Sequence, residues 1–158
     1  MKNIVVARVD DRLIHGQVVT EWIPGYNANR VAIVDDVVAK DAFNTKLIKL
    51  LAPTGVKVDV YSVADGIAEL TGEAKSGERI VVLTKTPITF DRLSEGGVEL
   101  KDVILGGMGL RGERKPFVKN VSCSPDEVDS IRNMVKKGIH VFYQLVPDQR
   151  AIEITDLI

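Results

Sequence analysis

The sequence predicts a doubly wound α/β domain with a mainly parallel sheet and helices on both faces. Continuous valine- and isoleucine-rich runs recur along the chain, as expected of strands buried on both sides. Helix-period segments separate them, and capping residues stand at several of the joins. No repeat, low-complexity tract or linker interrupts the pattern, so residues 1–158 are expected to form a single domain.

The runs Ile4–Val9, Val31–Val34, Val56–Val60, Ile80–Leu83 and Val103–Leu105 read as strands. Ile14, Val18 and Trp22 share one helical stripe; Ala39, Phe43, Leu47 and Leu50 share another; Val63, Ile67 and Leu70 make a third, shorter one. Asp36 is placed to cap the second helix, Ser62 with Asp65 resembles a capping box, and Thr86-Pro87 pairs a cap with proline in the first turn. Gly72 and Gly96-Gly97 suit helix ends. Ser124-Pro125-Asp126-Glu127 opens a helix carrying Val128, Ile131 and Val135, which Gly138 can close before the strand IHVFYQLV. Phe117–Val121 reads as a further strand near a sheet edge.

Composition narrows the function. The 21 basic and 22 acidic residues are mixed along the chain, so no global field recruits nucleic acid or an acidic membrane surface, and any anion site must be local. The single cysteine, Cys123, has no partner for an internal disulfide. No apolar run approaches a spanning helix, and the MKNIVVARVDD start is too soon acidic for a secretory signal. A soluble cytoplasmic protein is the simplest reading. Nothing resembles a Walker lysine loop or a cluster of cysteine and histidine ligands, so neither a metal nor another cofactor is expected.

In a doubly wound sheet, ligands gather at the carboxyl ends of the strands. That rule selects four loops: Asp10–His15, Asp35-Asp36, Thr84–Thr86 and Gly106–Arg114. The first, within ARVDDRLIHGQV, carries one of the chain's two histidines. His15 stands where strand gives way to helix, with Gly16 permitting close backbone approach and Arg12 three residues upstream. A helix start offers unpaired amides and partial positive charge, and arginine a planar fork for phosphoryl oxygens. Neutral imidazole is a nucleophile near neutral pH, and Asp10 or Asp11 could fix its tautomer. A structural histidine that caps or fills the loop is the alternative.

DDRLIHGQV after a first strand, then VAKDAF, TPITFDRLSEGGV, ILGGM and a late QLVP, together resemble the IIB component of the mannose, fructose and sorbose family of bacterial sugar phosphotransferase systems. The resemblance spans nearly the whole chain, and DRLIHGQV is its most specific part. It implies a mainly parallel sheet with an antiparallel edge. It also implies a phosphocarrier that takes a phosphoryl group from a phosphohistidine on a IIA partner and gives it to a sugar delivered by membrane IIC and IID partners. His15 matches the family's phosphorylated histidine, with Nδ1 as the implied atom, and Arg12 and Asp10 match neighbouring motif residues. The amides of Gly16, Gln17 and Val18 would hold phosphoryl oxygens, and peripheral association with the transporter follows. GMGLRGERKPF is less typical of the family.

Other residues have competing readings. Asp35-Asp36 could shape the active loop or, in a receiver-like regulator, an acidic phosphate pocket; helix capping is favoured. Gly106-Gly107-Met108-Gly109 lacks dinucleotide-fingerprint spacing and suits a tight loop beside the site better than direct phosphate contact, leaving Gly107, like Asp11 and Asp36, a supporting candidate. Lys85, Arg111, Arg114 and Lys115 form either a basic rim for a partner or solvated surface. His140, inside an apolar strand, reads as structural, as does Cys123; Trp22 reads as core rather than a sugar platform.

Overall fold

The computed structural model describes residues 1–158. Strands β1 (Ile4–Val9), β2 (Arg30–Val34), β3 (Lys57–Tyr61), β4 (Ile80–Thr84), β5 (Asp102–Leu105), β8 (His140–Tyr143) and β9 (Ile152–Glu153) form one sheet in the order β3-β2-β4-β1-β5-β8-β9. Every pairing is parallel except β8 with β9, the antiparallel edge. Strands β6 (Lys115–Val118) and β7 (Val121–Cys123) make a separate antiparallel hairpin. Phe117–Val121 is therefore not one edge strand. The chain turns within it at Lys119, whose φ of 46° lies in the left-handed region.

Helices α4 (Val63–Leu70), α5 (Pro87–Glu95) and α6 (Pro125–Lys136) share one apolar cluster with one face of the sheet. A second cluster on the other face joins Val18, Trp22 and Ile23 to Val31, Ile33, Val81 and Leu83. Both faces of β1, β2 and β4 are thus dry, which accounts for their uninterrupted valines and isoleucines.

The caps explain where helices begin. Thr86 accepts from the Ile88 amide with Pro87 next in line, Ser62 accepts from the Asp65 amide, and Ser124 with Glu127 completes a reciprocal capping box. The second helical segment departs from its expected form. Asp35, not Asp36, caps α2 (Asp36–Lys40), while Asp36 accepts from the Val63 amide at the start of α4. Asp41 is extended and caps a new helix, α3 (Ala42–Lys49), resetting the helical phase. The stripe predicted across both therefore fails to stay inside: Phe43, Leu47 and Leu50 are exposed.

The helix after β1 is helical from Gly16, but Val18–Trp22 is a π-helical segment before a short α1 (Ile23–Gly25). The Ile23 amide reaches back five residues to the Val18 carbonyl. That wider turn accommodates Pro24, which lacks a donor and whose ring crowds the carbonyl one turn back in a regular helix. Val18 and Trp22 remain fully buried.

Candidate functional site

Strand β1 lies at the centre of the sheet, between β4 and β5. The chain leaves β1 toward β2 on one side, whereas the connection after β4 crosses to β5 on the other, so the two loops part at the carboxyl end of β1. This is the crevice position of a doubly wound fold. Both neighbours hold the loop there: the Asp10 amide donates to Thr84 O (2.8 Å), the Gly106 amide to Val9 O (2.8 Å) and the Asp11 amide to Gly107 O (2.8 Å).

The turn is tight. The Leu13 amide donates to Asp10 O (2.9 Å), and Leu13 adopts φ 56°. A leucine pays roughly 1–2 kcal/mol for that conformation, which burial of its side chain in the second cluster offsets. The strained residue swings His15 back over Asp10.

Asp10 is wholly buried and organises the site. Its Oδ2 accepts from His15 Nε2 (3.0 Å) and from the Gly107 amide (3.2 Å); its Oδ1 accepts from the Arg12 amide (3.1 Å). Burial alone would raise the Asp10 carboxyl, but the His15 hydrogen bond, the Arg12 amide and the nearby His15 and Arg8 charges hold it below the usual carboxylate range. An ionised carboxylate only accepts, so Nε2 must carry the proton. In the neutral ring the other nitrogen, Nδ1, then presents a free lone pair. Asp10, not Asp11, is the acceptor that sets the tautomer.

The first backbone bond of the following helix runs from the Val19 amide to His15 O (2.9 Å). The amides of Gly16, Gln17 and Val18 before it have no acceptor among the protein's backbone or side-chain groups, leaving three donors at the positive end of the helix. Arg12 is mostly exposed and touches Asp10 Oδ1 only loosely, at 3.4 Å, which leaves its guanidinium able to swing onto an anion. His15, Arg12, Asp10 and the three amides thus occupy one short loop and helix start.

Asp11 faces the neighbouring loop. It accepts from the Gly109 amide (2.6 Å), Arg111 (3.0 Å) and Arg114 (3.0 Å). Arg114 also forks onto Glu127 at 2.8 and 2.9 Å, and Glu127 accepts from Thr86 (2.8 Å). Burial pushes the Glu127 carboxyl up, yet Arg114, the Ser124 amide and Thr86 hold it below its ordinary value. Arg114, half-buried with its side chain 10% exposed, is therefore a brace and not part of a basic rim, whereas Arg111 and Lys115 are exposed. Asp10, Asp11, Arg12, Gly107, Arg111 and Asn120 are among the residues lining a polar cleft of about 290 Å³. Gly107 leaves its amide on Asp10, and a Cβ there would sit 3.3 Å from Asp10 Oδ1.

Asp36 stands apart. Its carboxylate is held by the Val63 amide (2.8 Å) and Arg92 (3.3 Å), and Asp35 is engaged in its cap, so the two acids form no receiver-like pocket. His140 is half-exposed, between Asp102 (3.2 Å) and Glu153 (2.7 Å) at the opposite end of the sheet. Its acidic neighbours come from other strands, so an inspection of adjacent residues does not find them. Cys123 is buried, and burial pushes its thiol up to about 12. Trp22 is core; its Nε1 donates to Leu145 O (3.1 Å). No group of three or more histidine, cysteine, aspartate or glutamate side chains is arranged to hold a metal, and no helix is long and apolar enough to cross a membrane.

Arg8 is the residue that sequence inspection missed. It is fully buried beneath Asp10, donating to Gln144 O (2.7 Å) and Leu145 O (3.0 Å), with its guanidinium 4.7 Å from the Trp22 ring centroid. A charged residue inside the apolar run of β1 was the available signal.

Comparison with known proteins agrees with this architecture. The family model described as "PTS system sorbose subfamily IIB component" matches residues 4–158. The N-acetylgalactosamine-specific phosphotransferase enzyme IIB component 1 of Escherichia coli (strain K12) is 34% identical over 155 residues, covering 98% of each chain. The PTS system mannose-specific EIIAB component of the same strain is 35% identical; the match covers 98% of this chain but 48% of that protein, so the present chain spans about half its length. The crystal structure of the IIBSor domain of the sorbose permease from Klebsiella pneumoniae superposes with a TM-score of 0.91 at 32% identity, covering 98% of this chain and 94% of that one.

Proposed function

The chain belongs to the sorbose subfamily of phosphotransferase-system IIB components, and on that footing we propose that it carries a phosphoryl group on Nδ1 of His15. A IIB component is a phosphotransferase of sugar transport, working with a IIA protein and a membrane IIC component. The finer reading is that a IIA phosphohistidine is the donor, that IID assists IIC, and that a sugar presented by this membrane pair is the acceptor.

The observation that carries the reading is the 3.0 Å hydrogen bond from His15 Nε2 to a buried, ionised Asp10. It leaves Nδ1 as the nucleophile at the start of a helix with three unpaired amides. In the first transfer, the Nδ1 lone pair forms a bond to phosphorus as the donor's nitrogen–phosphorus bond breaks, its electron pair returning to the donor imidazole. The amides of Gly16, Gln17 and Val18, with the Arg12 guanidinium, hold the equatorial oxygens of a loose transition state. In the second transfer a sugar hydroxyl oxygen attacks phosphorus, the bond to Nδ1 breaks with its pair returning to the ring, and the hydroxyl proton passes to a base at the sugar's own site. Arg12 is a suitable partner for a transient charge: exposed and loosely held, it stabilises phosphohistidine without making it a trap.

Incubation with the general phosphotransferase proteins and IIA tests this reading. One acid-labile, comparatively base-stable phosphate is expected per chain, lost in His15→Ala and kept in His140→Ala. Label retained by His15→Ala would contradict it.

A further inference from the structure

We propose that Arg8 is a positioning residue for this transfer, holding Asp10 as an anion from behind so that His15 keeps its proton on Nε2 and offers Nδ1; the proposal rests on the His15 reading above. Arg8 Nη2 lies 3.7 Å from Asp10 Oδ2, the oxygen that receives His15 Nε2. Both side chains are fully buried. A guanidinium enclosed in this way needs a nearby anion, and a buried carboxylate needs a nearby cation.

The backbone shows that this space is kept for Arg8. A Cβ on Gly106 would lie 2.5 Å from Arg8 Nη2 and 2.7 Å from Val9 O. Two carbonyls at the Gln144-Leu145 corner receive the guanidinium, and Trp22 shares the second of them, while Arg8 Nε has no acceptor. Hydrogen bonding therefore does not use the whole group, and its charge beside Asp10 remains to be explained. Burial lowers the Arg8 pKa to about 10, with Asp10 opposing the fall, so the group is a cation at neutral pH.

The consequence concerns the second proton that the Asp10–His15 pair takes up as pH falls. With one proton, Asp10 is ionised, Nε2–H donates to it and Nδ1 keeps its lone pair; with a second proton, Nδ1 is protonated whether Asp10 is ionised beside an imidazolium or is itself a carboxyl group donating to Nε2, and the nucleophilic lone pair is lost. A cation 3.7 Å behind Oδ2 disfavours the doubly protonated pair and makes it release the second proton at lower pH. A packing residue would steady the loop equally at every pH. A positioning charge moves the pH profile.

The experiment measures the rate of phosphoryl acceptance against pH in the whole chain, together with the ring nitrogen shifts of His15 in the unphosphorylated protein. Arg8→Met and Arg8→Gln should move the acid limb upward by about one pH unit and reduce the Nε2–H tautomer. Trp22→Phe removes the other donor to Leu145 O but leaves the charge, so it should leave the limb in place. Arg8→Gln retains donors for the two carbonyls and supplies the result if Arg8→Met does not fold. An unmoved limb and tautomer in the Arg8 variants, or an equal shift in Trp22→Phe, would overturn the proposal. Failure of the wild-type chain to label at His15 would instead defeat the parent reading, while the tautomer measurement would still test Arg8.

Discussion

At Asp10, burial and hydrogen bonding pull in opposite directions, and hydrogen bonding wins. Because the folded carboxyl titrates below its unfolded value, it contributes stability above the ordinary carboxylate range and loses it as pH falls through the folded value. Wild type should therefore exceed Asp10→Asn in urea midpoint at neutral pH, and the gap should narrow below about pH 4; a constant gap would mean that packing alone is being measured. If Arg12 clamps the phosphoryl group as proposed, Arg12→Lys should slow transfer at least about tenfold, roughly 1.4 kcal/mol of transition-state stabilisation, with the urea midpoint unchanged. Equal rates would reject the guanidinium clamp. His15, Arg12 and Asp10 are close in sequence, which made their grouping legible. Arg8 meets Asp10 from within the strand and its carbonyl acceptors lie more than 130 residues away, so spacing could not reveal it.

The elements around the site are joined by backbone contacts that leave little room. Gly106→Ala would place a methyl group against Val9 O and Arg8, and should cost about 1–3 kcal/mol by urea unfolding; wild-type stability would mean that β5 yields more readily than its hydrogen bonds imply. At the far edge, His140 joins β8 to Asp102 of β5 and Glu153 of β9. Glu153 chiefly raises its pKa, so the contribution is full below the unfolded histidine value and is lost as pH rises through the folded value. Hydrogen exchange at Ile152 and Glu153, corrected for intrinsic base catalysis, should accelerate across that rise, and His140→Ala should remove the transition. Most strands and helix starts could be read locally because valine runs and caps are local signals. The α2–α3 break could not: Asp41 fits within a helix in one dimension, and only its extended backbone and cap show the change of phase. The hairpin was hidden in the same way by an ordinary lysine taking a positive φ.

Across the whole molecule, the sheet order places β1 at the crevice, so one loop can be rigid below and open above. Buried Asp10 and Arg8 form its base, the Asp11–Arg114–Glu127 ion network supports one side, and Arg12 is left exposed. That arrangement suits a carrier that meets two partners in turn. Association with IIA should be transient and weaken with salt, and charge reversal at exposed Arg111 should slow transfer most at low ionic strength; identical salt profiles would remove Arg111 from the interface. The overall topology was readable because βαβ alternation imposes it. The division of the arginines was not, since Arg111 and Arg114 look alike until the fold ties Arg114 between Asp11 and Glu127 and leaves Arg111 exposed. The most direct measurement of the central claim is phosphorus-coupled nitrogen NMR on the chain after phosphorylation by IIA. Coupling to Nδ1 of His15 is the predicted result; coupling to Nε2, or a phosphate on any other residue, would contradict it.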